Sequence, residues 1–443
     1  MLRIGIGFGL NRGGVLPPPP PPSTDFIIKV KTDNAGTSED DQFTLPTTTG
    51  TYDYQIDWGD GVIEDISVST AQTHTYPTEG TYTIKISGTF PRIFFNNGGD
   101  KSKLIEIVNL GDVSWTSMER AFWGCNNMDI SPTCTGVMPS GSYQDAWQNC
   151  SSLTSFPALD LSVGNNFFRT WQGCSSMTSF NATALGSGSF RSAWQNCSSL
   201  TSFPALDLSV GNNFQDAWAG CTSMISFNAT ELGSGNYQQS WLSCSSLTSF
   251  PALDLSGGTS FFRTWEGCSL MASFNATELG SGNYQQSWLN CSSLTSFPAL
   301  DLSGGTSFQQ AWQGCSSMTS FNATALGSGS YQQSWQNCSS LTSFPALDLS
   351  GGTSFFRTWR NMGAMTSFAT RNFYNMTNGG DCFAGTTLPT SDWSDILVTQ
   401  RANNSGTGIS FHGGNSKYNT AGGVARGELV TIQSWSIIDG GAE

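Results

Sequence analysis

The chain has 443 residues; 11% are charged, with 18 Lys and Arg against 32 Asp and Glu and a formal net charge of −14. That length is large for one compact core, so several domains or a repeat array is expected. So few cations argue against nucleic acid as a partner, and no stretch approaches the roughly 20 apolar residues of a membrane span. Residues 1–23 read as an attachment segment. Ile4, Ile6, Phe8 and Leu10 alternate with Gly5, Gly7 and Gly9 and are the expected anchor residues. A long apolar core and a small-x-small cleavage site are missing from this stretch, so it is not read as a secretory leader. Pro17 to Pro22 form a stiff polyproline II spacer of about 3 Å per residue.

Residues 24–98 predict a small β-sandwich. Phe26–Thr32 and Thr81–Gly88 alternate apolar and polar residues between Gly- and Pro-rich punctuation. The run Tyr54-Gln-Ile-Asp-Trp-Gly-Asp-Gly61 is followed by His74-Thr-Tyr76 and by Gly80-Thr-Tyr82. Asp57 and Asp60 could bind a cation, but Asp-Gly pairs supply the geometry of a tight turn, and that reading is preferred. The paired motifs resemble the polycystic-kidney-disease (PKD-like) domain family. The resemblance implies a spacer or protein-contact module rather than an enzyme.

Residues 99–368 repeat. Trp recurs from Trp123 through Trp147, Trp171, Trp194 and Trp218 to Trp359 at steps of 24 or 23 residues, and ten Cys from Cys125 to Cys338 keep the same beat. Self-similarity at this period predicts a solenoid. Two unit types alternate: Trp147 to Ser162 reads W-x-x-C-S-S-L-T-S-F-P-A-L-D-L-S, and Trp171 to Gly188 reads W-x-x-C-S-S-M-T-S-F-N-A-T-x-L-G-S-G. An aromatic residue four places before each Trp, the Trp itself and the Cys three places after it fall on one face of a short helical turn. The Leu/Met-x-x-Phe segment that follows is extended, so each coil is expected to hold one helical turn and one strand. Stacked strands would form a parallel sheet at about 4.8 Å spacing. The pattern Ala146-Trp147-x-x-Cys150-x-x-Leu153-x-x-Phe156 resembles BspA-type leucine-rich-repeat proteins, with Trp where that family has Phe. The resemblance implies adhesion and ligand binding at a cell or virion surface, and no catalytic residues. The expected fold class is mainly β with short helices, a leucine-rich-repeat solenoid preceded by a small β-sandwich.

The chemistry-bearing residues of the repeat are read as structural. Each coil offers one sulfur, whereas zinc needs clustered ligands, and Met362 stands in the Cys place of the last unit. Buried free thiols are therefore expected, with no metal and no cofactor, and they suit folding in a reducing compartment. Asp160, Asp207, Asp254, Asp301 and Asp348 recur every 47 residues and read as turn caps or a solvated edge. A row of calcium sites or a carboxylate pair of the glycosidase kind are the other readings. His74 and His412 have no nucleophile beside them. The Asn149 and Asn181 sequons read as by-products of the repeat. Phe168-Arg169, Phe262-Arg263 and Phe356-Arg357 recur every 94 residues. Their side chains are expected to lean outward, either as inheritance from a duplicated block or as regular contact points for a partner.

Residues 369–443 predict a cap of helix, strand, helix and strand, which a solenoid needs over its last coil. Gly413-Gly-Asn-Ser-Lys-Tyr418, Ala425-Arg426 and Trp435-Ser-Ile-Ile-Asp-Gly-Gly441 resemble endings of repeat proteins encoded by bacteriophages and some marine bacteria. That resemblance implies display on a virion surface. The expectation is a non-enzymatic tail-fibre or capsid-decoration protein, held to a virion protein by its N-terminal peptide. Its solenoid would bind a host surface polysaccharide or protein, and a homo-oligomer is left open. A secreted bacterial adhesin and a polysaccharide-acting enzyme are the alternatives.

Overall fold

The computed structural model describes residues 24–443, so Ile4, Ile6, Phe8, Leu10 and the proline run lie outside the described residues. The chain is mainly β and forms a solenoid preceded by a small sandwich. The sandwich strands are β1 (Phe26–Lys31), β2 (Gln42–Leu45), β3 (Asp53–Asp57), β4 (Ile63–Ile66), β5 (Gln72–Thr75) and β6 (Thr81–Thr89). Two strands of the first solenoid coils follow, β7 (Leu104–Asn109) and β8 (Asp129–Ile130). One sheet has the order β4-β3-β6-β1-β7-β8, and β2 pairs β5 in a second. Strand β1 pairs antiparallel with β7, and β7 pairs parallel with β8, so the sandwich sheet passes without a break into the solenoid. A unit boundary at residue 98 falls inside this weld. The Asp100 carboxylate accepts from Thr37 N, Ser38 N and Thr44 N at 2.8, 3.0 and 2.7 Å. The buried Lys103 ammonium donates to Ser38 O, Glu39 O and Gln42 O. First-coil residues thus fix the sandwich's acidic loop.

The helical turn expected in each coil is replaced by chained β-turns. Ala146 N donates to Tyr143 O at 3.0 Å and Cys150 N to Trp147 O at 3.2 Å. The third residue of each turn has a positive φ, 56° at Asp145 and 60° at Asn149, the pattern of a type II turn. The remaining donors go to the next coil rather than to a carbonyl four residues back. Tyr143 N, Asp145 N, Trp147 N and Asn149 N bond Asn166, Phe168, Thr170 and Gln172 carbonyls at 2.7–3.0 Å. The inward face is the expected one, because residues spaced 4 and then 3 apart point the same way in either geometry.

Each full coil carries two or three short strands rather than one. Ser155–Phe156 and Asp160–Leu161 pair in register with Ser179–Phe180 and Ala184–Leu185 of the following coil, and Gly164–Asn166 pairs back to Gly141–Ser142. Inside, three aromatic columns run along the axis. Successive Trp from Trp147 to Trp359 stack at 5.1–5.9 Å with ring planes within 11°. The aromatic residues four places earlier stack beside them, as Tyr143 on Phe167 at 5.3 Å. Phe156 and its equivalents meet the Trp rings edge-on at about 5 Å, as at 5.0 Å and 75° for Trp147. The Phe column alternates, 5.3 Å from Phe156 to Phe180 and 6.0 Å from Phe180 to Phe203, so the 47-residue double unit is also the packing unit.

Trp123 does not belong to the Trp column. Phe122 takes that place, stacking on Trp147 at 6.2 Å and accepting from Cys125 N at 3.1 Å as Trp147 does from Cys150 N. The reason is spacing: Cys follows the column residue by three, which fits Phe122 and not Trp123. At the far end Phe383 stacks on Trp359 at 5.1 Å, so Phe closes the column at both ends. The cap consists of helix α1 (Thr390–Asn403), strand Ser410–His412, helix α2 (Thr420–Gln433) and strand Ser436–Ile438. It is joined to the last coil by Gly379 N to Ser410 O at 3.1 Å and by Trp393, Ile396, Leu397 and Phe411, all fully buried.

Candidate functional site

The thiols are inward and inert. All twelve cysteines are buried and unbridged. From Cys150 to Cys338 each Sγ donates to the carbonyl of the preceding coil's column residue, as Cys174 to Trp147 O at 3.1 Å and Cys268 to Trp241 O at 3.2 Å. Burial pushes the Cys174 and Cys268 thiols up to about 12, far from the thiolate form that reactivity and metal binding need. Thr386 makes the same bond to Trp359 O at 2.7 Å with a hydroxyl.

In the sandwich, Trp58 stacks on His74 at 4.7 Å, and His74 Nε2 lies 2.9 Å from Asp60 Oδ2. Tyr76 Oη donates to Trp58 O at 3.2 Å. Asp57 and Asp60 accept from Gly59 N and Val62 N at 2.9 and 3.0 Å, so both carboxylates close the turn. His412 Nδ1 accepts from Gly414 N at 3.0 Å, another local turn bond.

All six residues of the three Phe-Arg pairs are half-buried. Their arginines are occupied. Arg169 Nε lies 3.0 Å from Asp145, whose buried carboxylate also meets Arg120 at 3.5 Å. Arg357 Nε lies 3.2 Å from Asp381, and Arg263 Nη2 donates to Glu266 at 3.1 Å. The Arg169 and Arg357 guanidiniums lie over the Phe168 and Phe356 rings at 4.3 and 4.6 Å. Each arginine also holds a left-handed backbone position, with φ of 53° at Arg169. In two of the three pairs, Arg169 and Arg357, the structure spends the arginine on joining neighbouring coils. No two of the pairs are brought together.

Three members of the aspartate ladder, Asp207, Asp254 and Asp348, line surface clefts. Asp160, Asp207, Asp254, Asp301 and Asp348 are exposed, and each Oδ1 accepts from the Ser N two residues on at 2.8–2.9 Å. Hydrogen bonds from the Ser162 and Ser209 side chains, then from their backbones, hold the Asp160 and Asp207 carboxyls below the usual carboxylate range. At Asp301 the Ser303 backbone bond leads. Turn capping is therefore their structural role. Beside them run clefts of 640, 460 and 300 Å3. The first lies between Leu185-Gly186-Ser187 and Asp207, the second between Leu232-Gly233-Ser234 and Asp254, and the third between Leu326-Gly327-Ser328 and Asp348. Thr230 is shared by the first two, which makes them one interrupted groove. The clefts fall at the coils that are one residue shorter than their neighbours. Among the described residues no group of three or more His, Cys, Asp or Glu is placed to hold a metal ion. The signal for the groove was in the sequence, as the alternation of 24 and 23 residues.

No protein-family model matches the chain, and no curated protein matches it. Among solved structures it is similar to the plant peptide hormone receptor RGFR1 in complex with RGF2, at 14% identity over 80% of this chain and 68% of that chain, with a TM-score of 0.23. No helix among the described residues is long and apolar enough to cross a membrane. In its own architecture the chain is a solenoid of short parallel strands with a sandwich at one end and a helical cap at the other.

Proposed function

We propose that this protein is a non-enzymatic binding scaffold displayed on a virion as a tail-fibre or capsid-decoration protein. Its solenoid contacts a host surface, and its N-terminal residues hold it to the particle. The observation that carries the binding reading is the uniform outer face. Aromatic rings and thiols fill the interior, and the clefts at Asp207, Asp254 and Asp348 each offer a carboxylate beside Ser and Thr hydroxyls. Repetition of one shallow site suits multivalent contact, where linked weak sites gain avidity. What supports placement on a virion is twofold. Twelve buried, unbridged thiols suit folding in a reducing compartment, and the C-terminal segment resembles phage-encoded endings. The BspA-type reading is supported by Phe122, since Phe in a Trp position packs without disturbance. The PKD-like reading of the sandwich is supported by the bonds that join Trp58, Asp60, His74 and Tyr76. It makes the sandwich a spacer.

The test is to image purified particles carrying the full chain or a chain without residues 1–22. Decoration only with the full chain is the expected outcome and assigns the anchor to residues 1–22, the segment that carries Ile4, Ile6, Phe8 and Leu10. Absence of the protein from every particle would reject the virion reading in favour of a secreted or cell-surface adhesin.

A further inference from the structure

We infer that the groove along the aspartate ladder binds a linear amino-sugar glycan, lying parallel to the solenoid axis with two sugar rings to each double unit. This rests on the binding reading above and names the face and the ligand chemistry. The first argument is charge. Asp207 pairs in register with Glu231, and Asp254 with Glu278, so like charges stand side by side at the centre of the ladder. Directly opposed like charges destabilise a ladder unless something compensates them. Among the described residues no cation is paired with them. Between residues 157 and 356 the only Lys or Arg are Arg169, Arg191 and Arg263, and all three lie on the turn segments that precede Trp. A ligand with ammonium groups supplies the missing charge.

The second argument is period and lining. Two coils advance about 10 Å along the axis at strand spacing, roughly the reach of two linked pyranose rings. The clefts at Asp207 and Asp254 lie one such interval apart. Each offers one ladder carboxylate with Ser and Thr hydroxyls, as Asp207 with Ser187, Ser209, Thr183 and Thr230. Hydroxyls and carboxylates match the donors and acceptors of a sugar better than those of an extended polypeptide. Beside the groove the backbones of neighbouring coils approach so closely that only glycine fits: a Cβ at Gly233 would lie 1.9 Å from Gly211 O.

The test measures binding of the β-1,4-linked glucosamine octamer, its fully N-acetylated counterpart and octalysine to the full chain. The expected result is binding of the glucosamine octamer, tighter than the tetramer because further clefts are engaged, and weakened by salt. The double variant Asp207→Asn, Asp254→Asn should lose it at least tenfold with a melting temperature held or raised, because Asn keeps the turn-capping oxygen and relieves the like-charge pairs. Equal binding of octalysine would show charge alone at work and overturn the proposal, as would equal binding of the acetylated octamer. Host attachment measured with the same variant separates the two readings. Attachment that persists while no glucosamine oligomer binds rejects the glycan and leaves the scaffold reading standing. Loss of attachment altogether in the unmodified chain rejects the scaffold reading itself.

Discussion

Each Trp in the column from Trp147 to Trp359 is buried, and none of the ten Nε1–H groups has a hydrogen-bond partner. The indole is therefore held by stacking and edge contacts alone, as at Trp241, which lies 5.2 Å from Trp218 and 4.9 Å from Phe250. Two substitutions there should separate in size. Trp241→Phe strands no donor and should cost only about 1–2 kcal/mol, since Phe122 and Phe383 already hold that position at the ends. Trp241→Ala leaves a cavity between fixed neighbours and should cost about 3–5 kcal/mol. Denaturant unfolding followed by near-ultraviolet circular dichroism reads both, and equal costs would mean that the indole N–H matters. Asp100 is the residue where pH should matter. Burial opposes its ionisation, but bonds from Ser38, Thr44 and Thr37 outweigh that and leave its pKa lowered. Its contribution is present above the unfolded carboxylate value of about 3.9 and is lost as pH falls through the lower folded value. Acid unfolding of the sandwich end should therefore be steep in that window in the unmodified chain and flatter in Asp100→Asn. The inward aromatics and thiols were legible from period alone. The Asp100–Lys103 weld was not, because its partners lie about 60 residues away in a loop with no pattern.

A turn segment and a helix respond oppositely to the same substitution. Gly267 sits at the third position of its turn with φ of 75°, and a Cβ there would meet only Ser243 atoms at 3.7–3.9 Å. Space is available, so the cost of Gly267→Ala is the left-handed backbone, about 1–2 kcal/mol. Were the segment helical, the same change would stabilise by about 0.5–1 kcal/mol. Gly267→Asn should be nearly neutral, because Asn149, Asn196, Asn290 and Asn337 hold the equivalent place in other coils with φ of 60–64°. Thermal melting of the two variants decides the sign. This is also where sequence reasoning fell short. The 4-then-3 spacing of inward residues is common to a helix and to chained turns. The alternation of Gly and Asn two places after Trp was the signal that favoured turns. The cap differs: its helices have no competing coil to bond, and its helix-strand order was readable from the apolar spacing of Trp393, Ile396 and Leu397.

From Trp147 to Trp359 long and short coils alternate, and that alternation sets which of these coils can be removed. In a solenoid, stability is close to a sum over repeats and their interfaces, so losing an in-phase block should leave a shorter, folded chain. Deleting residues 218–264 removes one short and one long coil and joins Ala217 to Trp265, restoring the long-then-short order. Deleting only residues 218–240 sets two long coils in contact. Ser256 then takes the place of Gly233, where a Cβ would already lie 1.9 Å from Gly211 O and 2.5 Å from Ser209 O. Those contacts are with backbone, which cannot move without breaking the ladder of Leu208 and its neighbours. The chain shortened by 23 residues should therefore lose more than about 3 kcal/mol relative to the chain shortened by 47, despite keeping more of the stack. Denaturant unfolding of the two deletions side by side measures this. If the 23-residue deletion proved the more stable, alternation would be a relic of duplication and the corrugated groove an accident of it. The expected order instead makes the 47-residue unit the smallest piece by which this chain can grow or shrink.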